Sequence, residues 1–318
     1  MKQTFISTDK IRLDKILANE LDISRNQIEK LIKEGLVFVN GKPIIKSSFK
    51  VSVGDEISYS FKEALKQEPK EIDFDIDIVY EDDYLMVINK PANLVVHPAP
   101  SVRDATVVDW LIARGISLST ISGENRYGIV HRIDKDTTGA LVIAKDNKTH
   151  ELLSKQLQDK SMGRYYIAII DTPLKEDTII NKPIARNQND RLKMTVVHNG
   201  RDAKSAFVKL STNQYKTEII CAKLFTGRTH QIRVHLKSIS RHILGDTAYG
   251  YKSKRYKPKR IQLHAYLLYL IHPHTNEKIE FVAPMFSDMS VFIKNNFDNE
   301  YMEDLLNPNN ITKLFQNL

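Results

Sequence analysis

The chain has 318 residues, 42% of them hydrophobic, which is room for one large domain and a small companion. No apolar run approaches the roughly 20 residues of a membrane span, the opening residues lack the apolar stretch of a secretion signal, and the single cysteine, Cys221, excludes an internal disulfide or a cysteine zinc cage. The cytoplasm is then the default location, and a net charge of +8 with a pI near 9.2 favours a polyanionic partner.

From Arg12 to Phe61 the pattern is that of a small two-helix unit. Leu13, Ile16, Leu17 and Leu21 keep helical spacing and make one apolar stripe. Ser24 followed by Gln27 is a capping box for a second helix with Ile28, Leu31 and Ile32 inward, and Gly35 is its stop. The run V-F-V-N-G-K predicts a strand entering an Asn40-Gly41 type I′ turn, and a turn at Gly54-Asp55 leads into Ile57 and Tyr59. Arg12, Lys15, Arg25, Lys30 and Lys33 give the helices a basic face, which an ordinary solvated helix also carries. The order R-L-D-K-x-L … S-R-x-x-x-x-x-L-I-K-x-G-x-V-x-V-N-G resembles the alpha-L type RNA-binding domain. That resemblance implies a small α/β RNA-binding module over residues 1–62, with Arg12, Arg25 and Lys30 among the groups that hold phosphates without reading sequence. Residues 63–75, charged and containing one proline, read as an interdomain linker.

A second domain is expected over residues 76–298. I-V-Y-E-D-D-Y-L-M-V-I-N-K-P predicts a strand, an acidic turn and a buried strand stopped by Pro91. Residues 106–115 predict a helix stopped by Gly115. The densest stretch is Gly128 to Asp146, where a polar turn of His131, Arg132, Asp134, Lys135, Asp136, Thr137 and Thr138 sits between two apolar runs. Such a loop is suited to fixing a reactive side chain, although most Asp–Thr–Gly turns only turn the chain. Its Asp134-x-Asp136-x-Thr138-Gly139 spacing matches half a calcium loop, but Lys145 stands where the closing glutamate belongs. A helix follows over 149–160 and a strand over 163–170. In L-F-T-G-R-T-H-Q-I-R-V-H-L (224–236), Gly227 permits a tight turn, and His230 and His235 make a weak zinc pair. Residues 251–260 interleave tyrosines with basic groups, so Lys254 and Arg255 are candidates for tracking an RNA backbone. The tail, 299–318, is polar and expected at the periphery.

The strings H-R-I-D-K-D-T-T-G-A-L-V-I-A-K, G-R-Y-Y-I-A, L-F-T-G-R-T-H-Q-I-R-V-H-L and G-D-T-A-Y-G occur in that order, and A-N-L-V-V-H-P precedes them. Together they resemble the signatures of the RluA-type RNA pseudouridine synthases over nearly the whole chain. The resemblance implies an α+β pseudouridine synthase fold with a mixed, largely antiparallel central sheet and a cleft across its centre. It implies isomerisation of uridine to pseudouridine in RNA, with large-subunit ribosomal RNA the expected substrate, no cofactor, no metal and a monomeric enzyme. Residue by residue, it makes Asp134 the catalytic carboxylate and Arg228 its guanidinium partner. It also makes Tyr166 the ring that stacks on uracil and a candidate to take the C5 proton, and Arg132 the side chain that fills the space left by an extruded uridine. Two positions depart from the family pattern: Asn93 stands where glycine is usual, and Arg164 where lysine is. Attack at C1′, addition at C6 and a glycal route all remain open to Asp134. A non-catalytic assembly factor would be expected to have lost Asp134, Tyr166 or Arg228. An RNA methyltransferase would need a glycine-rich cofactor loop, which is not evident.

Overall fold

The computed structural model describes residues 2–21, 25–60, 70–99, 102–120, 127–298, 302, 304–316 and 318. The chain divides into two units, residues 1–68 and 69–318.

In the first unit, β1 (Lys2–Ile6) is followed by helices α1 (Leu13–Glu20) and α2 (Arg25–Lys33), then β2 (Val37–Val39), β3 (Lys42–Pro43) and β4 (Glu56–Ser60). The strands pair antiparallel in the order β1-β4-β2-β3. Leu13, Ile16 and Leu17, three and four residues apart on α1, bury one stripe with Ile28, Ile32, Val37 and Ile57. Asn40 and Gly41 both take positive φ (49° and 76°), as a type I′ turn requires. The expected capping box at Ser24 and Gln27 lies outside the described residues.

The second unit is built on a nine-stranded sheet. Its strands are β5 (Asp77–Glu81), β6 (Leu85–Lys90), β7 (Thr138–Ala144), β8 (Gly163–Ile170), β9 (Thr178–Asn181), β12 (Lys204–Thr212), β13 (Glu218–Leu224), β14 (Leu263–Ile271) and β15 (Lys278–Val282). They lie in the order β5-β6-β7-β14-β8-β13-β12-β9, with β15 also on β14. A separate hairpin is made by β10 (Ile184–Arg186) and β11 (Met194–Val196). Among the described residues the unit also carries helices α3 (Val107–Ala113), α4 (Asn147–Asp159), α5 (Gln231–Lys237), α6 (Ser287–Asn296) and α7 (Pro308–Lys313). β6, β7 and β8 are buried along their full length, which is why they read as continuous apolar runs.

Side chains alternate across this sheet and serve two cores. Tyr166, Ala168 and Ile170 of β8 join Ile220, Ala222 and Leu263 on one face. Tyr165, Ile167 and Ile169 join Ile219, Cys221 and Leu267 on the other. Among the described residues all pairings are antiparallel except one, where Thr138 and Gly139 of β7 run parallel to His264 and Ala265 of β14. Gly139 takes φ +110°, and a Cβ there would stand 2.7 Å from the Ala265 nitrogen, so only glycine lets the two backbones meet. This seam lies at the centre of the sheet, directly after the loop that carries Asp134.

Asn93 adopts φ 61°, the left-handed conformation that asparagine tolerates in place of glycine. Three stretches differ from expectation. Residues 63–69 of the expected linker lie outside the described residues, while Ile72 and Phe74 pack against the core and Asp75 accepts from Trp110 Nε1 at 2.9 Å. The polar tail is not peripheral: Met302, Ile311 and Phe315 are buried with Met289 and Ile293 of α6. Gly227 has no positive φ, and the left-handed residue of its loop is His230, at φ 56°.

Candidate active site

The loop between β6 and β7 is tied down from beneath. Lys90, the last residue of β6, is fully buried, and its Nζ donates to the carbonyls of Pro91 (2.7 Å), Leu94 (2.8 Å) and Lys135 (3.0 Å). Burial pushes its pKa down to about 7, with Asp134 and Asp136 pulling it back up. Three carbonyl acceptors match the three hydrogens of an ammonium, which favours the charged form against the cost of burial. The Thr137 N–H closes a turn onto the Asp134 carbonyl at 3.2 Å. The Thr138 hydroxyl lies 2.8 Å from His264 Nδ1, and His264 Nε2 lies 2.9 Å from the Ala283 carbonyl. That carbonyl only accepts, so Nε2 holds the ring proton and Nδ1 accepts from Thr138. Burial takes His264 down to about 4 and holds the ring neutral.

Above this loop opens a pocket lined by Arg132, Asp134, Arg164, Tyr166, Arg228 and Arg233 among others. Asp134 is half-buried. Its Oδ2 faces Arg233 Nη1 at 3.5 Å and His230 Nε2 at 3.9 Å. Arg233 is 7% exposed and presents its fork to Asp246, with Nε to Oδ2 at 2.8 Å and Nη2 to Oδ1 at 2.9 Å. Tyr166, reaching in from β8, is 4% exposed. Burial pushes its phenol above the ordinary tyrosine range, against the pull of Arg164, so it stays protonated near neutrality. Arg164, the replacement for the family's lysine, shares the pocket with it.

The guanidinium expected beside Asp134 is a different one. Arg228 lines the pocket, but its Nε is given to the Asp202 carbonyl at 2.9 Å. Arg233 faces the carboxylate instead. His230 is the left-handed residue that caps α5 and Arg233 lies in the helix's first turn, so this one helix start brings both to Asp134. Gln231 holds their loop: Oε1 accepts from the Thr226 hydroxyl (2.7 Å) and the Arg228 N–H (2.9 Å), while Nε2 donates to Lys204 O (3.0 Å) and Ser205 Oγ (2.8 Å). Arg233 was detectable in principle, as a charge inside the apolar string I-R-V-H-L. Its acceptor Asp246 lies in G-D-T-A-Y-G, a string that carries no spacing signal for an arginine.

Neither metal pattern survives as a ligand set. Asp134 faces two cationic or donor groups, and Thr138 is bonded to His264. His235 has both ring nitrogens engaged, with Ser205 Oγ and the Lys182 carbonyl each at 3.0 Å. Among the described residues no three His, Cys, Asp or Glu side chains gather as a metal site.

The expected RNA contacts fare unevenly. Arg132 is exposed at the pocket. Arg12 directs its fork at Asp14, with contacts of 2.9 and 2.7 Å. The side chains of Arg25 and Lys30 lie outside the described residues. Lys254 and Arg255 do not line the pocket. Their loop is anchored by Tyr251 and Tyr256 in the core on the opposite face of the sheet from Tyr166, and Arg255 stacks on Tyr215.

Fold and site together define a class: a mixed sheet whose one parallel seam presents a carboxylate to a buried arginine and tyrosine, joined to a small basic module. Residues 84–238 match the family model described as RNA pseudouridylate synthase, and residues 11–57 match the S4 domain. The chain is 47% identical to an uncharacterized RNA pseudouridine synthase of Helicobacter pylori over 324 residues, 99% of each chain. It is 37% identical over 296 residues to the ribosomal large subunit pseudouridine synthase D of Zymomonas mobilis, covering 89% of this chain and 93% of that one. The solved structure of human RNA pseudouridylate synthase domain containing 1 superposes with a TM-score of 0.58 at 22% identity, over 76% of this chain and 98% of that chain, and shares the fold. The chain belongs to the RNA pseudouridine synthase family, enzymes that isomerise uridine to pseudouridine in RNA. No helix among the described residues is long and apolar enough to cross a membrane.

Proposed function

We propose that this enzyme isomerises uridines of large-subunit ribosomal RNA, with Asp134 as the reacting carboxylate, and that it acts on a base turned out of its stack. The observation that carries the reading is the approach of Asp134 Oδ2 to Arg233 Nη1 inside a pocket that also holds Tyr166. Isomerisation needs the glycosidic bond broken and a carbon–carbon bond made, with no electrons exchanged and no group lost. An ionised carboxylate is enough to hold the detached partner, either covalently or as the counter-charge of an oxocarbenium ion. Arg233 places a cation 3.5 Å from the carboxylate, and its two bonds to Asp246 keep it from closing fully onto Asp134. A protonated Tyr166 is a poor base, so its part is to stack on the uracil face.

Uridine in a stack cannot reach a carboxylate oxygen inside a pocket that Arg132 and Arg228 also line. Extrusion costs a few kcal/mol, offset by contacts in the pocket. Arg132, exposed two residues before Asp134, takes the space the base leaves. Arg132→Ala should therefore slow turnover on a folded RNA by more than on an unpaired oligonucleotide of the same sequence. Equal losses on the two substrates would remove that role.

The choice of ribosomal RNA draws on the basic charge, the S4 domain and the naming of the Zymomonas mobilis relative. It is tested by mapping pseudouridines in ribosomal RNA from cells lacking this protein, using carbodiimide labelling and primer extension, then adding back wild type or Asp134→Asn. Sites in the large-subunit RNA should vanish on deletion and return only with wild type. Loss confined to another RNA would move the substrate there, and no loss in any RNA would favour a binding factor.

A further inference from the structure

One residue backs both groups that face Asp134. Tyr249 closes the short 3-10 turn Thr247–Tyr249 and is 2% exposed. The Arg233 guanidinium carbon lies 4.7 Å from the centre of its ring, and the His230 ring meets it edge-on at 5.6 Å. Its hydroxyl accepts the Met194 N–H of β11 at 2.8 Å and stands 2.8 Å from His230 Nδ1.

A phenol has one hydrogen to give. With the oxygen already accepting from Met194, that hydrogen satisfies every group only if it goes to Nδ1. The reverse polarity would leave a buried hydroxyl hydrogen without an acceptor. His230 then carries its own proton on Nε2, the nitrogen turned toward Asp134 Oδ2. Burial pushes the Tyr249 phenol up to about 12. Burial also holds His230 below its ordinary value; Asp134 and Asp246 pull it up, while Arg233 and Arg132 push it down. Both rings are neutral near pH 7. His230 is moreover kept in the left-handed backbone region (φ 56°, ψ 21°), an uncommon conformation that its surroundings must hold.

We propose that Tyr249 is a positioning residue that fixes His230 as its Nε2–H tautomer, so that His230 and Arg233 address one oxygen of Asp134 and leave the other for the uridine. The proposal rests on Asp134 being the reacting carboxylate. The 3.9 Å separation is longer than a hydrogen bond and closes when RNA is bound, as donor contacts commonly tighten in the reacting complex. A lone donor on each oxygen would blunt both; two donors on Oδ2 hold the carboxylate plane and spare Oδ1.

The test uses the full-length protein with nitrogen-15 histidine. His230→Gln identifies the His230 signals by their absence. In wild type, magnetic resonance should show His230 with a bare Nδ1 and a protonated Nε2, and Tyr249→Phe should release the other tautomer. A protonated Nδ1 in wild type overturns the proposal. With an unmodified large-subunit ribosomal RNA transcript, Tyr249→Phe and His230→Leu should each lower the single-turnover rate about 10- to 100-fold, the scale of one lost hydrogen bond to a charge. RNA affinity should not change. His230→Gln, which places an N–H near the Nε2 position, should recover most of the rate, and this pair of variants leaves Met194 undisturbed. An unchanged rate in Tyr249→Phe, or a loss of RNA binding that accounts for the rate, overturns the positioning role. The tautomer is read on the free protein, so a failure of the Asp134 reading is seen separately, as turnover surviving in Asp134→Asn.

Discussion

Asp134→Asn is expected to abolish uridine isomerisation, lowering the single-turnover rate by about 10⁴-fold or more, as loss of a reacting group does. Affinity for RNA should stay within about twofold, because phosphate contacts made elsewhere dominate binding. The substitution is nearly isosteric, so the turn closed by the Thr137 N–H on the Asp134 carbonyl persists. It also leaves no stranded buried charge, since Arg233 keeps both of its bonds to Asp246. A fold that is intact and an enzyme that is dead should therefore appear together. The measurement is the modified fraction of RNA over time, with filter binding on the same preparations. A variant that turns over within about tenfold of wild type would move the chemistry away from Asp134.

The loop that carries Asp134 was readable because its signals are local. Two apolar runs bracket seven polar residues, and Gly139 falls where the chain must pass close to another backbone. What that backbone is could not be read: Ala265 lies 126 residues further on, and parallel pairing has no sequence signature at that range. The same limit hid the arginine. Arg228 follows a glycine and looks presented, whereas Arg233 is submerged among Ile232, Val234 and Leu236 and makes sense only once Asp246 is beside it. The role of Lys90 is illegible for a similar reason, since its three acceptors are carbonyls, which no residue type reveals. The tail failed differently. Ile311, Leu314 and Phe315 keep helical spacing, but the asparagines around them outweighed that stripe. The basic loop is legible only in part. Lys254 and Arg255 had the right composition, and composition says nothing about which face of the sheet a loop returns to.

Arg233 and Asp246 should show that stability and activity can be separated at this site. Asp246→Ala strips the acceptor from a guanidinium that is 7% exposed and leaves it the 3.5 Å approach to Asp134 and the face of the Tyr249 ring. Removing one partner of a buried pair costs about 3–5 kcal/mol, and at roughly 2–4 °C per kcal/mol for a domain of this size the melting transition should fall by about 6–20 °C. The rate should fall as well, because the freed guanidinium swings fully onto Asp134 and draws it out of line. Adding Arg233→Met removes the stranded charge, so the double variant should be more stable than Asp246→Ala alone. Recovery will stop short of wild type, since Asp246 Oδ1 also accepts the Tyr249 N–H at 3.3 Å, a cap worth about 1 kcal/mol. Turnover should not recover at all, because the carboxylate has then lost the guanidinium that faces it. Calorimetry and single-turnover rates on the three proteins read both quantities. A double variant no more stable than Asp246→Ala would show that the pair is held by packing rather than by charge, and one that regained turnover would take Arg233 out of the chemistry.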